Sequence, residues 1–382
     1  MLRSQIREII EVILPLLAAK YGKEMPDDFS FNIEKPKQSS HGDFAIDSAF
    51  QLSRVFHRSP WDIAQDICHF LDMHIDSDDE KKALIENVEA ARPGFVNFTM
   101  STLAWARVVR FIHAKDEQFG NSNTGKDEKV ILEYVSANPT GPLTIAHGRQ
   151  ACIGDTLANI MDKAGYKVFR EYYLNDGGRQ IMLLARSTRS RYFEIIGKET
   201  EFPEDGYRGE YIRDIAKQIF DEHGDELAGL DEKSSLKTFA RYATGALMGQ
   251  IKKDLELIGV RFDEYFSEKS LKGDKIKHVL NILEQKGCLK KEDGALWFQS
   301  TRFGDDKDRV LRKSDNSYTY LVPDIAYHRE KYERGFTKFV NLLGPDHHGY
   351  IKRLKAAIEA MGYESNRLDV LIVHLTTLYK NG

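Results

Sequence analysis

The sequence predicts an α/β protein: a parallel-sheet domain carrying a helical insertion, preceded by a small α+β domain. Three observations predict it. A strand, a helix and a strand follow one another between residues 129 and 173, and the same grammar returns between residues 338 and 375. A polar, glycine-bearing stretch, 114–128, sets both apart from the first 115 residues. A strand–helix–strand run of this length implies parallel pairing with a right-handed crossover, so both units can belong to one sheet.

In chain order, the opening segment puts Ile6, Ile9, Ile10, Val12, Ile13, Leu16 and Leu17 at helical spacing, with Glu8 and Glu11 interrupting the run. That is the pattern of a folded amphipathic helix rather than a signal peptide, although Arg3 and Arg7 precede it. A polar loop runs through Lys35 to Ser40, and residues 43–56 read as helical. Pro60 suits the first turn of the next helix, because its fixed φ is already helical and its missing amide is one a helix start leaves unpaired. Residues 85–89 and 95–98 alternate apolar with polar around Arg92-Pro93-Gly94, a strand–turn–strand signature. Beyond the boundary, 129–135 reads as a short apolar strand, Asn138-Pro139-Thr140-Gly141-Pro142 as a loop, and 148–164 as a helix. That helix sets Ile153, Leu157, Ile160, Met161 and Ala164 on one face, with Gly165 at the left-handed cap position. Residues 167–173 are the returning strand; 185–310 read as a charged, largely helical insertion. Lys338–Leu343, Tyr350–Met361 and 368–375 repeat strand, helix and strand, with Ile351, Leu354 and Ile358 aligned on the helix.

With 382 residues the chain has room for two to three domains. Hydrophobic residues at 41% and charged residues at 30% are the balance of a globular protein. No apolar run approaches the roughly 18 residues a bilayer crossing needs, so no membrane partner is expected. Cys68, Cys152 and Cys288 stand far apart without a CxxC pair, which argues against a disulfide framework or thiolate zinc and for a reducing cytoplasm. The net charge of −4 gives no global attraction to phosphate, so any nucleic-acid contact must come from local patches.

In an open parallel sheet, ligands bind beyond the carboxyl ends of the strands, where helix amides meet anions. Glu133 ends the first apolar strand and is followed by Ser136 and Asn138; His147 and Arg149 stand at the start of the next helix. Asp346, His347 and His348 follow the later strand, immediately before its helix. Taken singly, each is a cap or a satisfied core polar group. Taken together, histidine, arginine and amides at a helix start form an anion cradle suited to a triphosphate. A metal site from His147, His347, His348 and His374 is not expected, because adjacent histidines on a helix start point apart and no thiolate assists them.

The run from Glu133 through Asn138-Pro139-Thr140-Gly141-Pro142 to Thr144-Ile145-Ala146-His147-Gly148-Arg149 resembles the first signature of class I aminoacyl-tRNA synthetases in its arginine-specific form. The resemblance continues through Arg170-Glu171-Tyr172-Tyr173-Leu174-Asn175-Asp176, Pro203-Glu204-Asp205-Gly206-Tyr207-Arg208-Gly209, Asp293-Gly294-Ala295-Leu296-Trp297-Phe298 and Phe303-Gly304-Asp305-Asp306-Lys307-Asp308. It ends with Thr319-Tyr320-Leu321, Asp324-Ile325-Ala326-Tyr327, and Asp346-His347-His348-Gly349-Tyr350. So many ordered matches cover nearly the whole chain.

Membership of that family implies a Rossmann-like catalytic domain over 116–382 with the insertion at about 185–310, and an additional tRNA-contacting domain over 1–115, matched at His41-Gly42-Asp43-Phe44 and Pro93-Gly94-Phe95-Val96-Asn97-Phe98. Phenylalanines so spaced are more often core than base-stacking platforms. The resemblance implies ATP-dependent activation of L-arginine to arginyl-adenylate and transfer to tRNA(Arg), with Mg2+ on the nucleotide, by a monomer. It places catalysis on His147 and Thr144, ATP on Thr144, Ala146, His147, Gly148, Asp346 and His348, and arginine on Glu133, Ser136, Asn138, Tyr320 and Asp324. A planar guanidinium suits carboxylates, which accept its donors two at a time.

Two departures stand out. Thr144 and Ala146 occupy places where the family's ATP signature has histidine and glycine, and a threonine hydroxyl can bond phosphate but carries no positive charge. The sequence also stops before the family's second, lysine-bearing signature and its anticodon-binding domain, and Gly141 stands where relatives lacking that lysine carry a substitute. The expectation is a fragment of a longer protein; the competing reading is a ligand- or tRNA-binding piece with little catalysis.

Overall fold

The computed structural model of the protein describes residues 1–345, 349–374 and 376–380. By contacts the chain divides into two compact units, Met1–Phe119 and Gly120–Gly382.

The first unit runs α1 (Leu2–Lys20), β1 (Ile33–Glu34), β2 (Phe44–Ile46), α2 (Ser48–Phe56), α3 (Pro60–Asp76), α4 (Asp79–Leu84), β3 (Ile85–Ala91), β4 (Phe95–Met100) and α5 (Thr102–Lys115). Its antiparallel sheet has the order β1-β2-β4-β3. Helix α1 buries Ile6, Ile10, Ile13 and Leu17 but leaves Val12 and Leu16 exposed. Ser59 caps α3 by accepting the Asp62 amide at 3.1 Å, with Pro60 in its first turn. Residues 43–56 are not helical throughout. Asp43 fixes the start as a strand, its amide donating to the Phe98 carbonyl at 2.8 Å and its carboxylate accepting the Met100 amide at 2.8 Å. Phe98 is a fully buried core residue, whereas Phe95 is exposed and packs edge-on to Phe50. Helix α5 was not foreseen from the sequence; Ser101 caps it through the Ala104 amide at 3.0 Å.

The second unit opens with β5 (Lys129–Glu133), α6 (Ile145–Lys163) and β6 (Lys167–Leu174). Then follow α7 (Gly178–Ile195), α8 (Glu210–His223), α9 (Glu232–Leu257), β7 (Glu264–Ser267), α10 (Asp274–Gln285), β8 (Leu289–Glu292), β9 (Ala295–Phe298) and β10 (Arg309–Arg312). It closes with α11 (Leu321–Glu333), β11 (Lys338–Leu343), α12 (Tyr350–Met361) and β12 (Leu368–Ile372). Five parallel strands form the main sheet in the order β12-β11-β5-β6-β7. Val130, Ile131 and Leu132 of β5 are fully buried, as a central parallel strand covered on both faces requires. The chain leaves β5 toward β6 and β7 and later returns on its other side as β11 and β12. The strand order therefore reverses between β5 and β11, which is where such sheets open a crevice.

Three expectations change here. The stretch 185–310 is not one helical insertion: α7, α8 and α9 pack around Leu184, Ile212, Phe239 and Leu247, but the chain then rejoins the main sheet as β7. After α10 it forms a three-stranded antiparallel sheet, β10-β9-β8. In α6 the buried residues are Gln150, Ala151, Gly154 and Ala158, while Ile153 and Ile160 are exposed. Small residues face the sheet because the Tyr134 ring lies beneath them: a Cβ on Gly154 would come within 2.3 Å of it. The helix ends as expected, with Gly165 at φ 89° and the Tyr166 amide reaching back to the Met161 carbonyl at 3.1 Å. Finally, β5 stops at Glu133 because Val135 and Ser136 take φ values of 67° and 40°, outside any strand conformation. Leu375, expected in the last strand, lies outside the described residues, and β12 ends at Ile372.

Candidate active site

At the carboxyl ends of β5 and β11 the second unit holds a cavity of about 770 Å3. Its wall includes Glu133, Ser136 and Asn138 after β5, Ala146 and His147 at the start of α6, and Tyr320 and Asp324 at the start of α11. Thr144 and Gly148 are not part of that wall. Asp346 and His348 lie outside the described residues.

The left-handed pair Val135–Ser136 turns the chain sharply off the sheet, and the side chain of Ser136 takes over where the backbone ladder ends. Its Oγ accepts the Tyr173 amide at 3.1 Å and donates to Glu133 Oε1 at 3.2 Å. Ser136 thus lines the cleft with its hydroxyl already paired to the protein. Asn138 donates to Gln180 at 2.8 Å, so it too has a protein partner. Tyr320, with 73% of its surface exposed, stands at the rim.

Beneath the cavity lies a polar network that strand patterning alone did not reveal. Lys331, on α11 and with 0% exposure, donates to Glu133 Oε2 at 2.5 Å and to Asn341 Oδ1 at 3.0 Å. Asn341 sits opposite Glu133 in the β5–β11 register, and its amide lies 3.0 Å from His328 Nε2. Nε2 must then be the acceptor, so the His328 proton is on Nδ1 and points to the Asp324 carbonyl at 2.9 Å. Burial and the Lys331 charge push the His328 pKa down to about 3, which keeps this ring neutral. Burial would raise the Glu133 carboxyl, but Lys331 overcomes it and holds the group below its ordinary range. Glu133 is an ionised acid whose charge is already matched.

Asp324 is different. Burial first, then the negative charges of Glu133 and Glu268, raise its pKa well above that of an ordinary aspartate, and Lys331 offsets this only in part. Its carboxylate accepts the Tyr350 hydroxyl, while Glu268 accepts the Tyr173 hydroxyl at 3.1 Å. Glu268 also lines the cavity. Lys331 beneath the cavity and Arg353 in its wall are the cations near these acids, and a further cation bound beside Asp324 would favour its deprotonated form.

Across the cavity, His147 folds back onto its own helix start. Thr144 donates its amide to His147 Nδ1 at 3.1 Å, and its hydroxyl lies at 3.1 Å from the same atom. An Nδ1 that accepts an amide proton leaves the ring proton on Nε2 of a residue that lines the cavity. Burial lowers the His147 pKa, so the ring is a neutral donor. Thr144 thus holds His147 at the helix start. Gln150, one turn on, ties α6 to the end of β11 through the Leu342 carbonyl at 2.5 Å. Arg149 reaches the His374 carbonyl at 3.3 Å, bringing the end of β12 to the same helix start.

Reasoning from sequence missed Lys331, His328, Asn341, Tyr173 and Glu268. Asn341 carried a signal, being a lone amide in the apolar strand KFVNLL; Lys331 and His328 lie on a charged helix, Glu268 in a stretch expected to be helical insertion, and Tyr173 on a strand where an aromatic reads as core.

A family model described as the catalytic domain of class I tRNA synthetases (R) matches residues 108–376, and one described as the arginyl tRNA synthetase N terminal domain matches 1–100. The chain is 47% identical to an arginine–tRNA ligase of Bacillus licheniformis over 351 residues, 92% of this chain and 62% of that protein. It is 48% identical to that of Bacillus subtilis with the same coverages, and 44% identical to one of Halalkalibacterium halodurans over 100% of this chain and 67% of the relative. The chain thus spans about 62% of the length of the first of these relatives. A crystal structure provisionally described as an arginyl tRNA synthetase from Campylobacter jejuni aligns with TM-score 0.65 at 38% identity, over 70% of this chain and 59% of that one. The Thermus thermophilus arginyl-tRNA synthetase aligns with TM-score 0.54 at 20% identity, over 98% and 66%.

Proposed function

Because the chain belongs to the class I arginyl-tRNA synthetase family, we propose that its cavity binds arginine and ATP and joins them as arginyl-adenylate, the aminoacyl group then passing to the terminal adenosine of tRNA(Arg). One observation carries this reading: two neighbouring acids, Asp324 beside Glu268, face the same cavity as the neutral His147. The pair suits a guanidinium, whose planar fork of donors two carboxylates can share. Asn138 and Tyr320 flank it, and Glu133, fixed and ionised, retains lone pairs for a further donor of the substrate.

In the reaction, an oxygen of the arginine carboxylate attacks the α-phosphorus of ATP in line, a new O–P bond forms, and the bond to the β-phosphate breaks to release pyrophosphate. Chemistry of this kind rests on positioning and charge stabilisation. In this reading Nε2–H of His147 donates to phosphate oxygens as their charge grows. Ala146 and Gly148 shape the same helix start, and Asp346 and His348 are assigned to the nucleotide by the family resemblance. Magnesium accompanies ATP as part of the substrate. Three cysteines free of disulfides fit a reducing cytoplasm.

The test is calorimetric titration of the chain with arginine and with lysine, each in the presence of a non-hydrolysable ATP analogue. Arginine should bind at least about a hundredfold more tightly, since a site built for a fork leaves its acceptors unpaired around an ammonium. Equal affinities, or no arginine binding at all, would refute the reading.

A further inference from the structure

Lys331 is the most deeply buried charge of the site: it has 0% exposure, forms no part of the cavity wall, and therefore cannot meet a ligand itself. Its ammonium nonetheless lies 2.5 Å from Glu133, a strand-borne carboxylate that faces the cavity, and 3.0 Å from the amide that β11 sets opposite it. The same amide holds His328, whose other nitrogen holds the backbone of Asp324. So one cation touches, directly or through two side chains, both acids assigned to the arginine site.

We propose that Lys331 is the positioning residue of the arginine subsite, clamping Glu133 against β11 and, through Asn341 and His328, setting the turn of α11 from which Asp324 reaches the cavity. This deepens the functional reading above and rests on it. A salt bridge that merely held the fold would couple α11 to the sheet without regard to ligand. A positioning residue is distinguished because its loss affects arginine and spares the nucleotide, whose contacts on α6 the network does not reach. The groups facing Glu133 are Lys331, His328, Tyr327 and Asp324 from α11 and Tyr173 from β6. With the lysine removed only acids, phenols and a neutral imidazole remain, and the carboxyl should stay protonated to higher pH.

The experiment compares wild type, Lys331→Met and Lys331→Arg by calorimetry, with arginine and an ATP analogue titrated separately between pH 5.5 and 8 (a range of about 2.5 units around the histidine and shifted-carboxyl region). Lys331→Met should weaken arginine binding by roughly ten- to a hundredfold, the cost of a misplaced charged contact, with ATP-analogue affinity within about twofold. The acid limb of its arginine binding should move upward in pH, and Lys331→Arg should recover most of the loss. Equal losses for both ligands, or no loss for either, would overturn the positioning role. Should Lys331→Met fail to fold, Asn341→Ala removes the second anchor without unpairing a charge, and is expected to weaken arginine by roughly three- to tenfold while sparing the nucleotide; unchanged arginine affinity there would equally overturn it. A wild-type chain that binds no arginine would remove the functional reading itself and this inference with it, whereas normal wild-type binding with an indifferent Lys331→Met removes the inference alone.

Discussion

Replacing Asp324 by Asn keeps the side-chain volume and removes one negative charge, and it should move binding and stability in opposite directions. A charge-assisted hydrogen bond contributes about 1.5–3 kcal/mol, so losing a two-point contact to a guanidinium costs roughly 3–5 kcal/mol of affinity. That is a weakening of between about a hundredfold and several thousandfold. The free protein should respond otherwise. Burial, Glu133 and Glu268 raise the Asp324 pKa in the folded state, so the folded form binds more protons than the unfolded one. Stability therefore falls as pH rises from about 4, the ordinary aspartate value, toward the raised folded value, and above it the whole cost is present. Asparagine carries no such cost and can still accept the Tyr350 hydroxyl. At neutral pH the variant should unfold at the same temperature as wild type or higher. Arginine affinity of the wild type should grow with pH across the same window, because a cation favours the deprotonated acid. Calorimetric titration and thermal unfolding of both proteins check the two halves together. A variant that binds arginine within threefold of wild type, or that unfolds well below it, would show that Asp324 serves the fold and not the ligand (threefold being about 0.65 kcal/mol, less than a single hydrogen bond).

Three further outcomes follow from particular contacts. His147→Ala should slow single-turnover adenylate formation by about a hundred- to a thousandfold, as loss of one preorganised donor does, while lowering stability by only about 0.5–1 kcal/mol for the lost helix-start contact; a change of less than tenfold by rapid quench contradicts the donor role. Ser136→Ala unpairs the Tyr173 amide and one Glu133 oxygen and should cost about 1–3 kcal/mol in urea unfolding, with arginine affinity falling less than for Asp324→Asn. In Gly154→Ala the new methyl would meet the buried Tyr134 ring, an overpacking cost of about 1–3 kcal/mol that outweighs the gain in helix propensity; a higher unfolding temperature would refute the close approach.

What the sequence revealed and what it hid have physical reasons. The βαβ units around β5 and β11 were legible because a central parallel strand must be apolar on both faces, and because the left-handed Gly165 is a common helix stop. The switch point was not, since strand order depends on long-range pairing that leaves no local mark. Strand β7 escaped notice because Glu-Tyr-Phe-Ser is too short to show a period within a charged stretch. The helical face of α6 was misjudged for a related cause: Gly154 and Ala158 carry little apolar signal, yet the Tyr134 ring beneath makes small size the selected property. Acids expected at the site did come together, but the sequence could not say that Glu133 arrives already matched by Lys331. Pairing across 198 positions is invisible to spacing.

The turn after β5 has a consequence for how any occupant is received. Glycine would relax the backbone at positions 135 and 136, but the chain places a β-branched valine and a serine there, at φ 67° and 40°. Such conformers persist only where their surroundings leave no other choice, at about 1–3 kcal/mol each. A hinge would be built the opposite way. The mouth of the crevice is thus a stiff mould, cast before anything enters it. Amide exchange over residues 133–138 should be slow in the empty protein and scarcely slower once it is filled.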